Sequence, residues 1–199
     1  MSRRIRRGLS VALLLACTLA CALALSACGD SHTRVSGGTY AGESGAQAPY
    51  LNVGPLIYEV QLSRQLSPTD TEDAAYLQGL TPLQSALSAE QEWFAVFLQV
   101  YNNSSRPLPA ASEVTVSDTQ GNVYSPLTPG PTNVFAYRAE TVPAKGRLPG
   151  PDSTAAAAPT QGAMLLYKIG IVSLENRPLT ITIVDPTDSS QKASAELDV

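Results

Sequence analysis

Trp93-Phe94-Ala95-Val96-Phe97-Leu98-Gln99-Val100-Tyr101 is apolar at every position but Gln99. A strand with one wet face alternates apolar and polar residues, so a run that does not alternate predicts a central strand covered on both sides. The covering elements must come from the rest of the chain.

Working outward, most flanking segments carry period two. Leu56, Tyr58, Val60 and Leu62 alternate with Ile57, Glu59, Gln61 and Ser63, the mark of a half-buried strand. Glu113 to Ser117 places Val114 and Val116 on one face. The turn residues Asp118-Thr119-Gln120-Gly121-Asn122 then lead to Val123 and Tyr124, which predicts a hairpin. Ala163 to Val172 reads as a strand, and Val134 to Tyr137 as a weaker one. Leu179, Ile181 and Ile183 alternate with Thr180, Thr182 and Val184. The tail sets Ala193, Ala195, Leu197 and Val199 against Ser194, Glu196 and Asp198.

Seven to eight short strands with Pro-rich connections and no βαβ rhythm predict an all-β fold, an immunoglobulin-like antiparallel β-sandwich over residues 50–199. One short helix is expected between the first two strands, within 63–91. Asp70 or Thr71 caps it, Glu72 and Asp73 suit its positive end, and Gly79 stops it. A second long connection, 143–159, holds four Pro and the run Ala155 to Ala158 and reads as loop.

The first residues read as an address. Arg3, Arg4, Arg6 and Arg7 precede an almost unbroken apolar run from Leu9 to Ala24, the layout of an export signal. Leu25-Ser26-Ala27-Cys28 resembles the lipobox of bacterial lipoproteins, whose Cys carries the lipid and becomes the first residue of the mature chain. Gly8 to Ala27 is long enough to span a bilayer, but Cys28 standing at the lipobox position favours cleavage over an uncleaved anchor. The resemblance implies a signal peptide over 1–27 and lipidation at Cys28, with the protein on the extracytoplasmic face of the cell membrane. Gly29 to Pro49 has five Gly, three Ser and no apolar periodicity, so 28–49 reads as the lipidated Cys and a flexible tether of about 25 Å root-mean-square reach.

Trp93 to Asn103, then Asp118-Thr119-Gln120-Gly121-Asn122-Val123-Tyr124, then Gly162-Ala163-Met164-Leu165-Leu166-Tyr167 resemble a domain family of secreted bacterial lipoproteins with a telokin-like β-sandwich. The resemblance covers most of 50–185. It implies a surface module and transfers no catalytic residue; the insertion at 63–91 and the Pro-rich loop depart from the family pattern.

Composition narrows the chemistry. The whole chain has 13 Lys and Arg against 17 Asp and Glu. Removing 1–27 takes four Arg and no acid, leaving nine basic and 17 acidic side chains and a formal net charge of −8. Such a surface repels a phosphate backbone, so nucleic acid is not an expected partner. No Cys follows Cys28, and the one His, His32, lies in the tether. A Ser-His-Asp or Cys-His site needs an imidazole beside its nucleophile, and the usual zinc, copper and iron sites need imidazole or thiolate, so none is expected in the domain.

Carboxylates remain. Asp70, Glu72 and Asp73 cluster at the helix start, and Glu90 and Glu92 precede the central strand. Helix capping explains the first three, since acids in a first turn suit the helix dipole. A Ca²⁺ or other ligand site is the alternative for all five, and glycosidic acid/base work would require one cleft to join the two clusters. Lys145, Arg147 and Lys168 are candidates for a His-free Ser/Lys site, against the simpler reading of ordinary surface bases. Trp93, Phe94 and Phe97 read as core rather than a sugar platform.

The expectation is a lipid-anchored extracytoplasmic module of the bacterial envelope. It is non-catalytic, without cofactor, joined to the membrane by its lipid and bound to an envelope protein partner. The alternative is an envelope receptor for a small ligand, Ca²⁺, sugar or peptide, with the 63–91 insertion and the 143–159 loop walling the pocket.

Overall fold

The computed structural model describes residues 33–40 and 50–197. The expected signal peptide over 1–27, Cys28, His32 and the final Asp198-Val199 lie outside the described residues. Among the described residues there are twelve strands: β1 (Thr33–Tyr40), β2 (Tyr50–Val53), β3 (Leu56–Leu66), β4 (Gln91–Asn102), β5 (Leu108–Pro109), β6 (Val114–Ser117), β7 (Val123–Tyr124), β8 (Thr141–Val142), β9 (Arg147–Leu148), β10 (Ala163–Gly170), β11 (Leu179–Val184) and β12 (Lys192–Leu197). Within the described residues four short helices join them: α1 (Thr71–Tyr76), α2 (Pro82–Ser85), α3 (Thr154–Ala157) and α4 (Ile171–Glu175).

One sheet runs in the order β1-β12-β11-β6-β7. The other runs β10-β4-β3-β2, with β9 also paired to β4, and β5 with β8 forms a small ribbon. The predicted all-β sandwich is what the chain forms. It has more strands than periodicity suggests, because two-residue strands such as β5, β8 and β9 are too short to carry a period.

β4 explains both layers. Phe94, Val96, Leu98 and Val100 enter the core between the sheets, where they meet Val114, Val116, Ile181, Ile183, Ala193 and Ala195. Trp93, Ala95 and Phe97 face the other way, into a second cluster with Leu66, Tyr76, Met164 and Leu166. Leu77, Leu80 and Leu87 of the insertion roof that second cluster. The continuous apolar run of β4 therefore has a physical cause, the 63–91 insertion lying over the outer face of its sheet.

The alternation expected of β3 holds only to Val60. Val60 pairs with Leu98 and Leu62 with Phe97, so Gln61 is the extra residue of a β-bulge. A one-residue slip turns every later side chain to the opposite face. Leu62, Arg64 and Leu66 thereby pair with Phe97, Ala95 and Trp93, all of the outer cluster. The bulge keeps the Arg64 guanidinium out of the sandwich core and delivers it to the insertion.

Two helices, not one, occupy the insertion. Asp70 caps α1, its carboxylate accepting from the Glu72 and Asp73 backbone N–H groups at 2.9 and 3.2 Å. α1 ends at Tyr76, three residues before Gly79. Thr81 and Gln84 form a capping box on α2, with Pro82 in its first turn. Three further expectations need correction. Val134 to Tyr137 is no strand; Ala136 makes a single bridge to Met164. The strand expected over 163–172 stops at Gly170, because Ile171 and Val172 begin α4. The 143–159 connection is not all loop, since it contains β9 and α3. Within the stretch read as tether, Thr33–Tyr40 is strand β1, beside β12.

The hairpin at 118–122 is built as expected. The Asp118 carboxylate accepts from the backbone N–H groups of Gln120 and Asn122, both at 2.9 Å, and from Asn122 Nδ2 at 2.8 Å. Tyr124 Oη and Ser173 Oγ share a hydrogen bond of 2.6 Å, fastening β7 to α4. The D-x-x-G-x-x-Y stretch is structural. Among the described residues no helix is long and apolar enough to cross a membrane.

Candidate functional site

Where β3 leaves its sheet and β4 enters it, the insertion folds back and leaves a cavity of about 480 Å³. Gln65 and Leu66 wall it from β3, Glu92 and Trp93 from β4, and Asp73 and Leu87 from the insertion. Trp93, the single tryptophan of the chain, is buried with 4% of its surface exposed.

Asp73 is buried at the start of α1. Its Oδ1 accepts from Arg64 Nη2 at 2.5 Å and its Oδ2 from the Ser67 backbone N–H at 2.7 Å. Burial works against its charge, but the Arg64 hydrogen bond, the Ser67 N–H and the Arg64 charge together hold the carboxyl below its ordinary range. It is a structural anion, the wrong state for a general acid at neutral pH. Arg64 also lies 5.9 Å from the centre of the Tyr76 ring. Glu92 is half-buried and accepts from Gln65 Nε2 at 2.8 Å.

Of the five acids singled out in the sequence, the structure brings Asp73 and Glu92 to this cavity. Asp70 is spent on the α1 cap, and Glu72 and Glu90 are exposed outside the cavity wall. Among the described residues no group of three or more His, Cys, Asp or Glu is placed to hold a metal ion. Trp93, Phe94 and Phe97 of β4 are core, with Phe94 and Phe97 fully buried.

Two of the three candidate bases, Lys168 and Lys145, hold backbone carbonyls. Lys168 Nζ donates to the Leu83 and Ala86 carbonyls at 3.1 and 2.6 Å and lies 5.7 Å over the Trp93 ring. Lys145 Nζ donates to the Asn103 carbonyl at 2.6 Å.

The insertion is fastened from elsewhere in the chain, away from the cavity wall. Asn133 Nδ2 donates to the Tyr76 and Gln78 carbonyls, each at 2.8 Å, and the Gly130 N–H donates to the Gly79 carbonyl at 2.7 Å. Gln84 Nε2 donates to the Thr128 carbonyl at 3.1 Å. None of these fasteners has a periodic signature. Arg64, Gln65 and Leu87 escaped the sequence reading because their role depends on the bulge and on how the insertion folds back. The Thr81-Pro82-Leu83-Gln84 capping box was a legible signal for α2.

A second cavity, about 460 Å³, lies between segments 131–140 and 148–154, with Tyr137, Arg138, Glu140 and Asp152 in its wall. The insertion and the 143–159 loop therefore wall separate cavities, which corrects the expectation of a shared pocket.

The class defined by these features is an all-β sandwich with a helical insertion over one sheet. No protein-family model matches the chain, and no curated protein does. Among solved structures it is similar to the yjhA protein of Bacillus subtilis at 10% identity and a TM-score of 0.48, covering 76% of this chain and 98% of that one. It is also similar to ycdA of Bacillus subtilis, named "a putative lipoprotein", at 11% identity and a TM-score of 0.45. That match covers 74% of this chain and 38% of ycdA. A third similarity is to an uncharacterized beta-sandwich protein of Clostridium difficile 630, at 10% identity and a TM-score of 0.41, covering 75% of this chain and 90% of that one.

Proposed function

We propose that the chain is a lipid-anchored, extracytoplasmic module of the bacterial envelope that binds or supports another envelope component without catalysis. The observation that carries it is Leu25-Ser26-Ala27-Cys28 directly after an Arg-led apolar run. Two acyl chains or more on one Cys hold firmly, because each buried methylene contributes about 0.8 kcal/mol. The chemistry of the domain supports the non-catalytic part: the carboxylate best buried at the cavity, Asp73, is committed to Arg64 and Ser67. Mass spectrometry of the protein extracted from membranes tests the anchor. An acylated N-terminal Cys28 is expected, and an intact Met1 or an unmodified cleaved chain overturns it.

A receptor for a small ligand is the second reading, favoured by the open cavity between the insertion and the ends of β3 and β4. A ligand bound to the native state raises the melting temperature, so a thermal-shift screen separates a receptor from a purely supporting module.

A further inference from the structure

We infer that the cavity between the insertion and the β3–β4 sheet end is a binding site for an organic cation, a guanidinium or an ammonium group on a short apolar stem. The inference deepens the receptor reading by naming its ligand chemistry, and it stands independently of the lipid on Cys28.

The polar atoms of the wall select the ligand. Asp73 and Glu92 are the charged residues of the lining, and no Lys or Arg lines it. Arg64, behind the wall, meets the charge of Asp73. Glu92 has only the neutral Gln65 amide among its hydrogen bonds, so it supplies the unmet negative charge. Gln65 has turned its amide nitrogen to Glu92, which leaves its carbonyl oxygen to accept. An acceptor-rich, negative wall repels anions and matches a ligand that brings N–H donors and positive charge.

Competing ligands fit less well. A metal ion would find two carboxylates in this wall, one of them already held by Arg64, and among the described residues no group of three or more His, Cys, Asp or Glu is assembled. A sugar needs an open aromatic face to stack on, whereas the Trp93 indole is 4% exposed and already carries the Lys168 ammonium over its ring. Lys168 is not in the cavity wall, and its ammonium donates to the Leu83 and Ala86 carbonyls. Leu66, Leu87 and the edge of Trp93 suit the methylene stem of an arginine, a lysine or a polyamine.

Trp93 makes the test direct, since it is the sole indole and stands in the wall. Its emission is followed while the full-length protein is titrated with N-acetyl-arginine amide, spermidine, glucose and N-acetyl-glutamate amide. A saturable change with either cation at about 1 mM or below is expected, with none from glucose or the glutamate derivative. Response to the arginine derivative alone identifies a protein side chain as the natural donor, and response to spermidine alone a free polyamine.

Glu92→Gln is expected to weaken cation binding at least about tenfold, and Glu140→Gln, in the other cavity, to leave it unchanged. Leu87→Arg fills the cavity with a tethered guanidinium and abolishes binding, which keeps the test alive should the first variant not fold. Absence of a saturable change with both cations, equal response to glucose or the glutamate derivative, or full affinity in folded Glu92→Gln overturns the inference.

Discussion

Gly54 lies against the carboxylate of Asp185, so that a Cβ on Gly54 would stand 1.9 Å from Asp185 Oδ2. The contact joins the β2–β3 turn of one sheet to the β11–β12 turn of the other. Gly54 has φ +55°, and Asp185 cannot swing away cheaply. Its Oδ1 accepts from the Thr187 N–H at 2.7 Å, Thr187 Oγ1 at 2.6 Å and the Asp188 N–H at 3.0 Å.

Gly54→Ala is therefore expected to destabilise the domain by about 2 kcal/mol or more, from the clash and the left-handed backbone together. In an Asp185→Ala background the same substitution loses the clash and retains the backbone penalty, so its cost falls. A double-mutant cycle from urea unfolding measures the difference. Equal costs in the two backgrounds contradict the contact.

Arg64 and Asp73 carry the second prediction. Arg64→Leu leaves a buried carboxylate with only the Ser67 N–H for a partner. Because about a third of the Arg64 side chain is exposed, the expected loss is about 1–3 kcal/mol rather than the full cost of a broken buried pair. Asp73→Asn in the same background restores part of it by removing the unpaired charge. The readout is the urea midpoint of the three variants.

Much of the sandwich was legible because its strands obey simple periods. Leu179 to Val184 and Ala193 to Leu197 alternate as a half-buried sheet requires, and their burial follows the alternation residue by residue. The run from Trp93 to Tyr101 likewise announced two covered faces. The bulge at Gln61 was not legible, since Leu62 continues the apolar alternation and a bulge is a property of pairing between two strands. Everything that depends on it was hidden too, including the placement of Arg64 beside Asp73. Asp73 and Glu92 were singled out as acids, but their meeting at one cavity follows from the path of the insertion, which no local pattern encodes.

Acid is expected to weaken the fold. Burial disfavours the charge of Asp118, but the Asn122 side chain, the Ser173 hydroxyl and the Asn122 and Gln120 N–H groups together hold its carboxyl well below the usual range. Asp73 is lowered as well. A carboxyl whose folded value is depressed contributes stability that is fully present above its unfolded value, about 3.9, and is lost as pH falls through the lower folded value. The urea midpoint should thus vary little from these two groups above about pH 5 and drop steeply below about pH 4. Asp118→Asn should shallow that drop while lowering the plateau, because the amide cannot replace every acceptor bond of the hairpin.

Lys168 links β10 to the insertion, and its removal should loosen the insertion more than the sandwich. Its ammonium holds two carbonyls at the end of α2 and rests over Trp93. Lys168→Met keeps the stem and deletes the donors, so the expected global cost is about 1–2 kcal/mol. The insertion, with short helices and many exposed positions, opens locally at lower free energy than the sheets. Hydrogen exchange should accelerate in 81–88 of Lys168→Met well before β4 or β11, and the Trp93 emission should change in the folded state. Uniform acceleration across sandwich and insertion would show instead that Lys168 supports the fold as a whole.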